Sequence, residues 1–553
     1  MPRARSEQPR PQAPPPSAAD PGALAAIRRA LRALGYAEQP LADLMGIEHP
    51  AALAEGALVA VRARLAGVRS GTPRALAALA RLFLLGDTLP PAQLGRALDS
   101  ELVAALERAR LVRNGAAGVY SPFALYPCRG TFIATDRRFR PLARQPVMYL
   151  GGDSYALAYL CPERCQGRAL DLCTGSGVQA IVAARAGAER VLGVDTSARA
   201  LRFARFNAAL NEVAKRCRLV RADLDLALRP GERFELVLAN PPFVPSPHRG
   251  RGQLAYRDAG PRGERVLARL LRALPQRLVR GGLALVVTVI AERCGLEADE
   301  LVRSWLGPGA DLGALWLEFG RQRVEEYALA QVRRAFGDSE QQRARRFARW
   351  RRALVRAGVR WLAGGVLCVR PHRGPSPPWV DRVACAPPRG PAPELVLRLL
   401  RGAELAHGIV FPDELLERRL RLAADVLLTR SAAAGPGGRL RALACTAHCR
   451  GLPLEPARIS PGAWALLQAL GGAGRPAAAE DAPPPSAELS PPERSAAGAQ
   501  RPRGAGSERT EAEAAAPPPP LRAALAALGQ SAPRLDEVLA LCARGVLEPL
   551  AAP

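Results

Sequence analysis

Apolar residues recur at intervals of three and four through 23–34 (ALAAIRRALRAL), 57–68 (ALVAVRARLAGV) and 73–85 (PRALAALARLFLL), the spacing that lays a stripe along one face of an α-helix. A further helical stretch, 99–112, leads into Asn114-Gly115, a favoured hairpin turn, and then into the β-rich segments 119–127 and 131–136. Short helices followed by a hairpin give residues 21–145 the outline of a winged helix. Such a module docks substrates or partners about as often as it binds DNA.

The pattern changes at residue 146. Short apolar runs at 168–173 (RALDLC), 190–195 (RVLGVD), 218–223 (RLVRAD), 234–240 (FELVLAN) and 282–290 (GLALVVTVI) alternate with helical segments starting near Gly177 and Ser197 and with 267–278 (LARLLRALPQRL). Strands and helices in alternation imply a parallel, doubly wound sheet. Runs at 314–322 and 359–371 supply two further strands, so 146–372 is expected to be a Rossmann-like, seven-stranded α/β domain. Between them, 339–358 (SEQQRARRFARWRRALVRAG) reads as a strongly basic helix, either a solvated face or one turned toward RNA. Residues 373–471 read as a mainly helical domain. Residues 1–20 and 472–520 are Pro-rich and polar, a disordered leader and a disordered linker that cannot bury a core. A last helical unit, 521–553, is expected to pack back on the domain before the linker.

Length and composition narrow the class. A chain of 553 residues with 48% apolar content is globular over most of its length and large enough for several domains. The formal charge of +27 points toward a polyanionic partner, yet among 78 basic residues Lys215 is the single lysine, as nucleotide bias toward Arg, Ala, Gly and Pro would produce. Both readings stay open at this point. Eleven irregularly spaced cysteines do not form a disulfide framework. No apolar run reaches the length of a membrane span, and the amino terminus lacks the hydrophobic centre of a secretory signal, so a cytoplasmic protein without membrane association is expected. Cys445, His448 and Cys449 lack a matching second pair nearby and read as ordinary reduced thiols and an imidazole, so no metal is expected.

The chemistry gathers at strand ends. Asp171-Leu-Cys-Thr174-Gly175-Ser-Gly177 occupies the turn from the first strand to its helix, where glycines admit a ligand to the backbone and the helix start offers free N–H groups. Asp195 closes the second strand, where a carboxylate accepts both hydrogens of a ribose diol, and Asp223 closes the third, where an adenine amine would lie. The third glycine of a dinucleotide fingerprint is missing, since Val178-Gln179-Ala180 follow, which favours a nucleoside without phosphates over a nicotinamide cofactor. The fourth strand ends in Asn240-Pro241-Pro242-Phe243. Two prolines fix the backbone and donate no N–H, leaving the Asn240 side-chain oxygen and the Pro241 carbonyl as acceptors for a planar NH2 group beside the Phe243 ring.

Taken as a set, DLCTGSG, GVDTSARALRFARFNAALN, the Asp223 strand end and NPPF resemble class I S-adenosylmethionine-dependent methyltransferases, within them the HemK/PrmC-type "methyltransferase small domain" group. The resemblance covers about 147–300 and implies S-adenosyl-L-methionine as cofactor. It implies that Asp171, Thr174, Gly175 and Gly177 form the cofactor turn, Asp195 binds the ribose, Asp223 and Leu224 flank the adenine, and Asn240, Pro241, Pro242 and Phe243 hold the acceptor nitrogen. Residues 151–155 occupy the place of a segment that helps enclose cofactor and substrate. The implied substrate is a protein glutamine amide or the exocyclic amine of an RNA base, with ribosomal RNA, a ribosomal protein or a release factor as partner. Glutamine-specific members usually read NPPY, and Phe243 lacks that hydroxyl. The alternative is a non-catalytic nucleic-acid-binding or ribosome-assembly protein that keeps the fold.

Overall fold

The computed structural model describes residues 13–139, 145–224, 228–245, 256–308, 311–333, 339–372, 378–408, 412–434, 440–449, 454, 456–471 and 520–549. The first twelve residues of the expected leader and all but the last residue of the expected linker lie outside the described residues. The chain divides into two compact units, Met1–Gly408 with His448–Pro456, and Ile409–Ala447 with Ala457–Pro553.

In the first unit, helices α1 (Pro21–Ala33), α2 (Glu38–Met45), α3 (Leu58–Ala66), α4 (Gly71–Ala80), α5 (Pro91–Gly95) and α6 (Ser100–Arg108) precede two hairpins. Asp20 caps α1 by accepting the Ala23 N–H at 2.9 Å, and Pro21 stands at the first helical position. Strands β1 (Arg113–Gly115) and β2 (Gly118–Tyr120) pair with Gly115 opposite Gly118, so the turn is Ala116-Ala117, two residues beyond the expected Asn114-Gly115. Tertiary pairing sets this register. Val119 exchanges hydrogen bonds with Leu89, and a Cβ on Gly118 would fall 2.4 Å from the Leu89 carbonyl oxygen. Strands β3 (Phe123–Cys128) and β4 (Thr131–Asp136) join through Arg129 and Gly130, both with positive φ, as a two-residue hairpin matched to strand twist requires.

The sheet that follows holds eight strands: β5 (Arg168–Leu172), β6 (Arg190–Asp195), β7 (Cys217–Arg221), β8 (Phe234–Ala239), β9 (Leu278–Arg293), β10 (Leu312–Arg323), β11 (Val359–Pro371) and β12 (Trp379–Ala384). Their spatial order is β12-β10-β11-β9-β8-β5-β6-β7. β5 to β9 run parallel, and β11 is antiparallel to both of its neighbours. β12 extends the expected seven strands by one. It lies parallel to β10, where Gly313 leaves the slot that the Trp379 ring fills.

Helices α7 (Gly152–Leu160), α8 (Val178–Arg185), α9 (Ala198–Leu210), α10 (Arg265–Arg277) and α11 (Ala298–Leu306) cover the sheet. α10 buries Leu267, Leu270, Leu271 and Leu274, one helical stripe, in a core shared with Trp316 and the β8, β9 and β10 side chains. The expected basic helix is α13 (Glu340–Arg356), which follows α12 (Val324–Arg333) and buries only Leu354. Strand order reverses between β6 and β8 on either side of β5, so the ligand crevice of such a sheet opens at the carboxyl ends of these strands.

The β3–β4 hairpin is tied to the sheet domain through α9. Asn207 and Asn211, one turn apart, each bond both backbone groups of a β4 residue: Asn207 pairs with Ala134 at 2.8 and 2.9 Å, and Asn211 with Phe132 at 2.9 and 2.8 Å. Four helical residues rise about 6 Å and two strand residues about 6.8 Å, so the two ladders nearly match. Two asparagines thus satisfy a strand edge that would otherwise lie buried and unpaired.

Residues 373–471, expected to be mainly helical, contain strands as well. Val426–Ala434, Leu440–Cys449 and Ala457–Ile459 form one sheet, Leu420–Leu422 pairs with Leu547–Pro549, and the helices include Pro461–Gly471, Leu521–Leu528 and Leu535–Ala543. Among the described residues no helix is long and apolar enough to cross a membrane.

Candidate active site

The loop between β5 and α8 takes a form that few residues can adopt. Cys173, Gly175 and Gly177 all have positive φ, at 59, 54 and 84°. A Cβ on Gly177 would stand 2.9 Å from that of Ala204 on α9, so this glycine serves both the backbone conformation and the close helix contact. Asp171 holds the loop from below. Its Oδ2 accepts the Thr174 hydroxyl and, at 3.0 Å, the Ala180 N–H, while its buried Oδ1 has no partner among the described residues. Burial pushes the Asp171 carboxyl up to about 7, against the two hydrogen bonds that favour its charged form.

Asp195 faces the loop from the end of β6. Its Oδ2 accepts the Gly175 N–H and its Oδ1 the Ser197 N–H, each at 2.8 Å. Burial raises its pKa, and these N–H donors oppose the rise. A carboxylate has about four acceptor sites, so capacity remains for two hydroxyl donors. Asp223 lies two residues beyond β7, where Arg269 Nη1 donates to its Oδ2 at 2.8 Å. Leu224 beside it has φ 46°, an unusual conformation for a branched side chain, and turns into the same space.

Asn240 follows β8, and its amide orientation is fixed by chemistry. The Nδ2 donates at 3.3 Å to Asp153 Oδ2 and at 3.3 Å to Ser154 Oγ at the start of α7. A carboxylate accepts only, so the NH2 must point toward α7, and Oδ1 is left for another donor. The segment before α7 is itself anchored. Arg199 and Asp136 form a buried ion pair, with Nε to Oδ2 at 2.8 Å, and the same oxygen accepts the Val147 N–H at 2.7 Å.

These groups line one cavity of about 340 Å³, in the range of small-molecule sites. Thr174, Gly175, Asp195, Asp223, Leu224, Asn240 and Pro242 meet on its wall. Asp171 and Gly177 support the loop from outside the wall, Pro241 is buried, and Phe243 stands beyond the wall with its carbonyl oxygen against Gly263. The structure adds Gln145, Met148, Leu150, Tyr256 and Asp258. Asp258 reaches the wall because its segment bridges to Val244, just past the NPPF motif. Only its nearness to that motif in sequence could have hinted at this.

Residues 152–290 match the family described as methyltransferase small domain, and residues 33–121 match a domain of unknown function. Over 236 residues, 41% of its length, the chain is 33% identical to a ribosomal protein uL3 glutamine methyltransferase of Bordetella pertussis and spans 78% of that protein. The chain belongs to the class I S-adenosylmethionine-dependent methyltransferases. Other relatives are a second ribosomal protein uL3 glutamine methyltransferase, from Bradyrhizobium diazoefficiens (35% identity, 24% of this chain and 44% of that one), and a release factor glutamine methyltransferase of Koribacter versatilis (30%, 27% and 55%). The chain thus spans about half the length of these two. The cavity of this class I methyltransferase brings together a glycine loop, a carboxylate with spare acceptor sites, and Leu224 beside Asp223.

Proposed function

We propose that the protein transfers the methyl group of S-adenosylmethionine to the side-chain amide nitrogen of a glutamine in a protein substrate. The observation that carries this reading is the hydrogen bonding of Asn240, a residue of the cavity wall whose NH2 donates to Asp153 and Ser154, which leaves its oxygen as an acceptor. The three relatives named above are glutamine methyltransferases, which favours the amide as acceptor. In this reading Asp195 takes the ribose hydroxyls, Asp223 and Leu224 the adenine, Gly175 and Thr174 the methionine end, and Asp171 with Gly177 shapes the loop that meets it.

When bound, the cofactor supplies an electrophilic methyl on a sulfonium. The protein's task is to make a poor nucleophile better. An amide nitrogen shares its lone pair with the carbonyl, and acceptors at Asn240 Oδ1 and the Pro241 carbonyl favour the positively charged, more tetrahedral nitrogen of the transition state over the planar ground state. Holding that nitrogen in line removes the remaining entropic cost of encounter.

A nucleobase amine is the second reading, favoured by Phe243 in place of tyrosine. Transfer of labelled methyl to a lysate separates the two. Counts released by protease support the glutamine reading, and counts released by RNase overturn it.

A further inference from the structure

β5, β6 and β7 share a charge pattern that the cavity does not explain. Each has a cation at or next to its first residue and a carboxylate within two residues of its end: Arg168 and Asp171, Arg190 and Asp195, Arg218 and Asp223. Because the strands are parallel, the cations collect at the edge opposite the cavity. There Arg168, Arg190, Lys215, Arg216, Arg218 and Arg229 line a groove of about 620 Å³ with one carboxylate, Glu232.

Folding gains little from this arrangement. Arg168 and Arg190 are direct partners in register, and like charges placed opposite each other destabilise a strand pair. Arg168 is steadied by Glu232 and by the Phe234 ring, 5.0 Å from its guanidinium carbon, and Arg216 Nη1 donates to the Ala184 carbonyl at 3.0 Å. Glu232 is kept below the usual carboxylate range, its burial outweighed by the Arg229 N–H and by the charges of Arg168 and Arg229. Arg190, Lys215 and Arg218 are exposed and form no ion pair among the described residues.

We infer that this groove docks the phosphate backbone of a nucleic-acid strand. Six cations exceed what one phosphate of about two charges can neutralise. Three adjacent strand starts cover about 10 Å, more than one phosphate group spans, so the groove is long enough to follow a backbone. The one aromatic side chain in the wall, Phe234, is 1% exposed and covered by Arg168, so no ring is offered for base stacking. The groove therefore reads charge and not sequence. The inference stands whichever group accepts the methyl.

The test is binding of the full-length protein to a labelled oligouridine, followed by anisotropy over a salt series. The wild type is compared with the triple variant Arg190→Gln, Lys215→Gln, Arg218→Gln, and with a matched triple on the exposed face of α13, Arg343→Gln, Arg345→Gln, Arg356→Gln. Removing three phosphate contacts lowers the slope of log K against log salt by about 2 for a single strand. The groove variant should show that loss and at least a tenfold weaker affinity at about 0.1 M salt, with cofactor binding and thermal midpoint unchanged, and the α13 variant should bind as wild type does. Wild-type slope and affinity in the groove variant overturn the inference, as does loss confined to the α13 variant. Displacement of the oligouridine by polyglutamate at equal charge also overturns it, because it assigns the groove to acidic protein.

Discussion

The two ends of the same three strands solve opposite problems. At the carboxyl end, Asp171 is buried and Asp195 half-buried, and each accepts two hydrogen bonds, from backbone N–H groups or the Thr174 hydroxyl. At the amino end the cations are mostly exposed, and three of them have no ionic partner among the described residues. Groups held in place by backbone donors define a shape, so the carboxyl end suits one small ligand. Exposed cations define a field, which suits a flexible polyanion. The contrast also separates what folding needs from what binding needs: the carboxyl end is tied into the core, and the amino end is not.

Substitutions at the two ends should therefore cost very different amounts. The largest effect is expected for Arg199→Ala, which strands the 1% exposed Asp136 carboxylate and frees the segment before α7, at about 3–5 kcal/mol. Denaturant unfolding measures it, and an unchanged midpoint would remove this ion pair from the account. Next is Asp195→Ala, expected to weaken S-adenosylmethionine binding about 10- to 100-fold by calorimetry, the loss typical of charged hydrogen bonds.

Asp171 gives a drift with pH. Its native pKa of about 7 lies above the 3.8 of an exposed carboxyl, so the native state keeps a proton that the unfolded state releases. Its contribution to stability is complete below about pH 3.8 and disappears as pH rises through about 7. Asp171→Asn, which cannot ionise, should gain on the wild type across that window and then level off in melting curves. A constant difference between the two proteins contradicts the buried carboxyl. The smallest effect belongs to the amino end, where Arg190→Gln should change stability by less than about 0.5 kcal/mol and in the favourable direction.

Much of the carboxyl end could be read from the chain because each device there is local. A glycine turn, a strand-end Asp and an Asn-Pro-Pro each announce themselves within a few residues. What escaped depends on distant partners. Asn207 and Asn211 look like polar positions on an ordinary helix, and their partners lie more than 70 residues earlier on β4. The positive φ of Cys173 and Leu224 carries no glycine signal. β12 escaped because Trp379–Ala384 is short and interrupted by Asp381-Arg382, and its place depends on the slot at Gly313. Phe243 was expected beside the acceptor nitrogen; it is not among the cavity-wall residues, and its carbonyl oxygen lies against Gly263.

The central claim rests on the Asn240 oxygen acting only when charge develops on the acceptor nitrogen. The most direct measurement is Asn240→Ala assayed in one preparation for cofactor affinity by calorimetry and for methyl transfer by mass spectrometry of glutamine in the modified protein. The expected result is cofactor affinity within about twofold of wild type and transfer slower by on the order of 100-fold or more, the signature of a lost transition-state contact. Transfer at the wild-type rate would contradict the account.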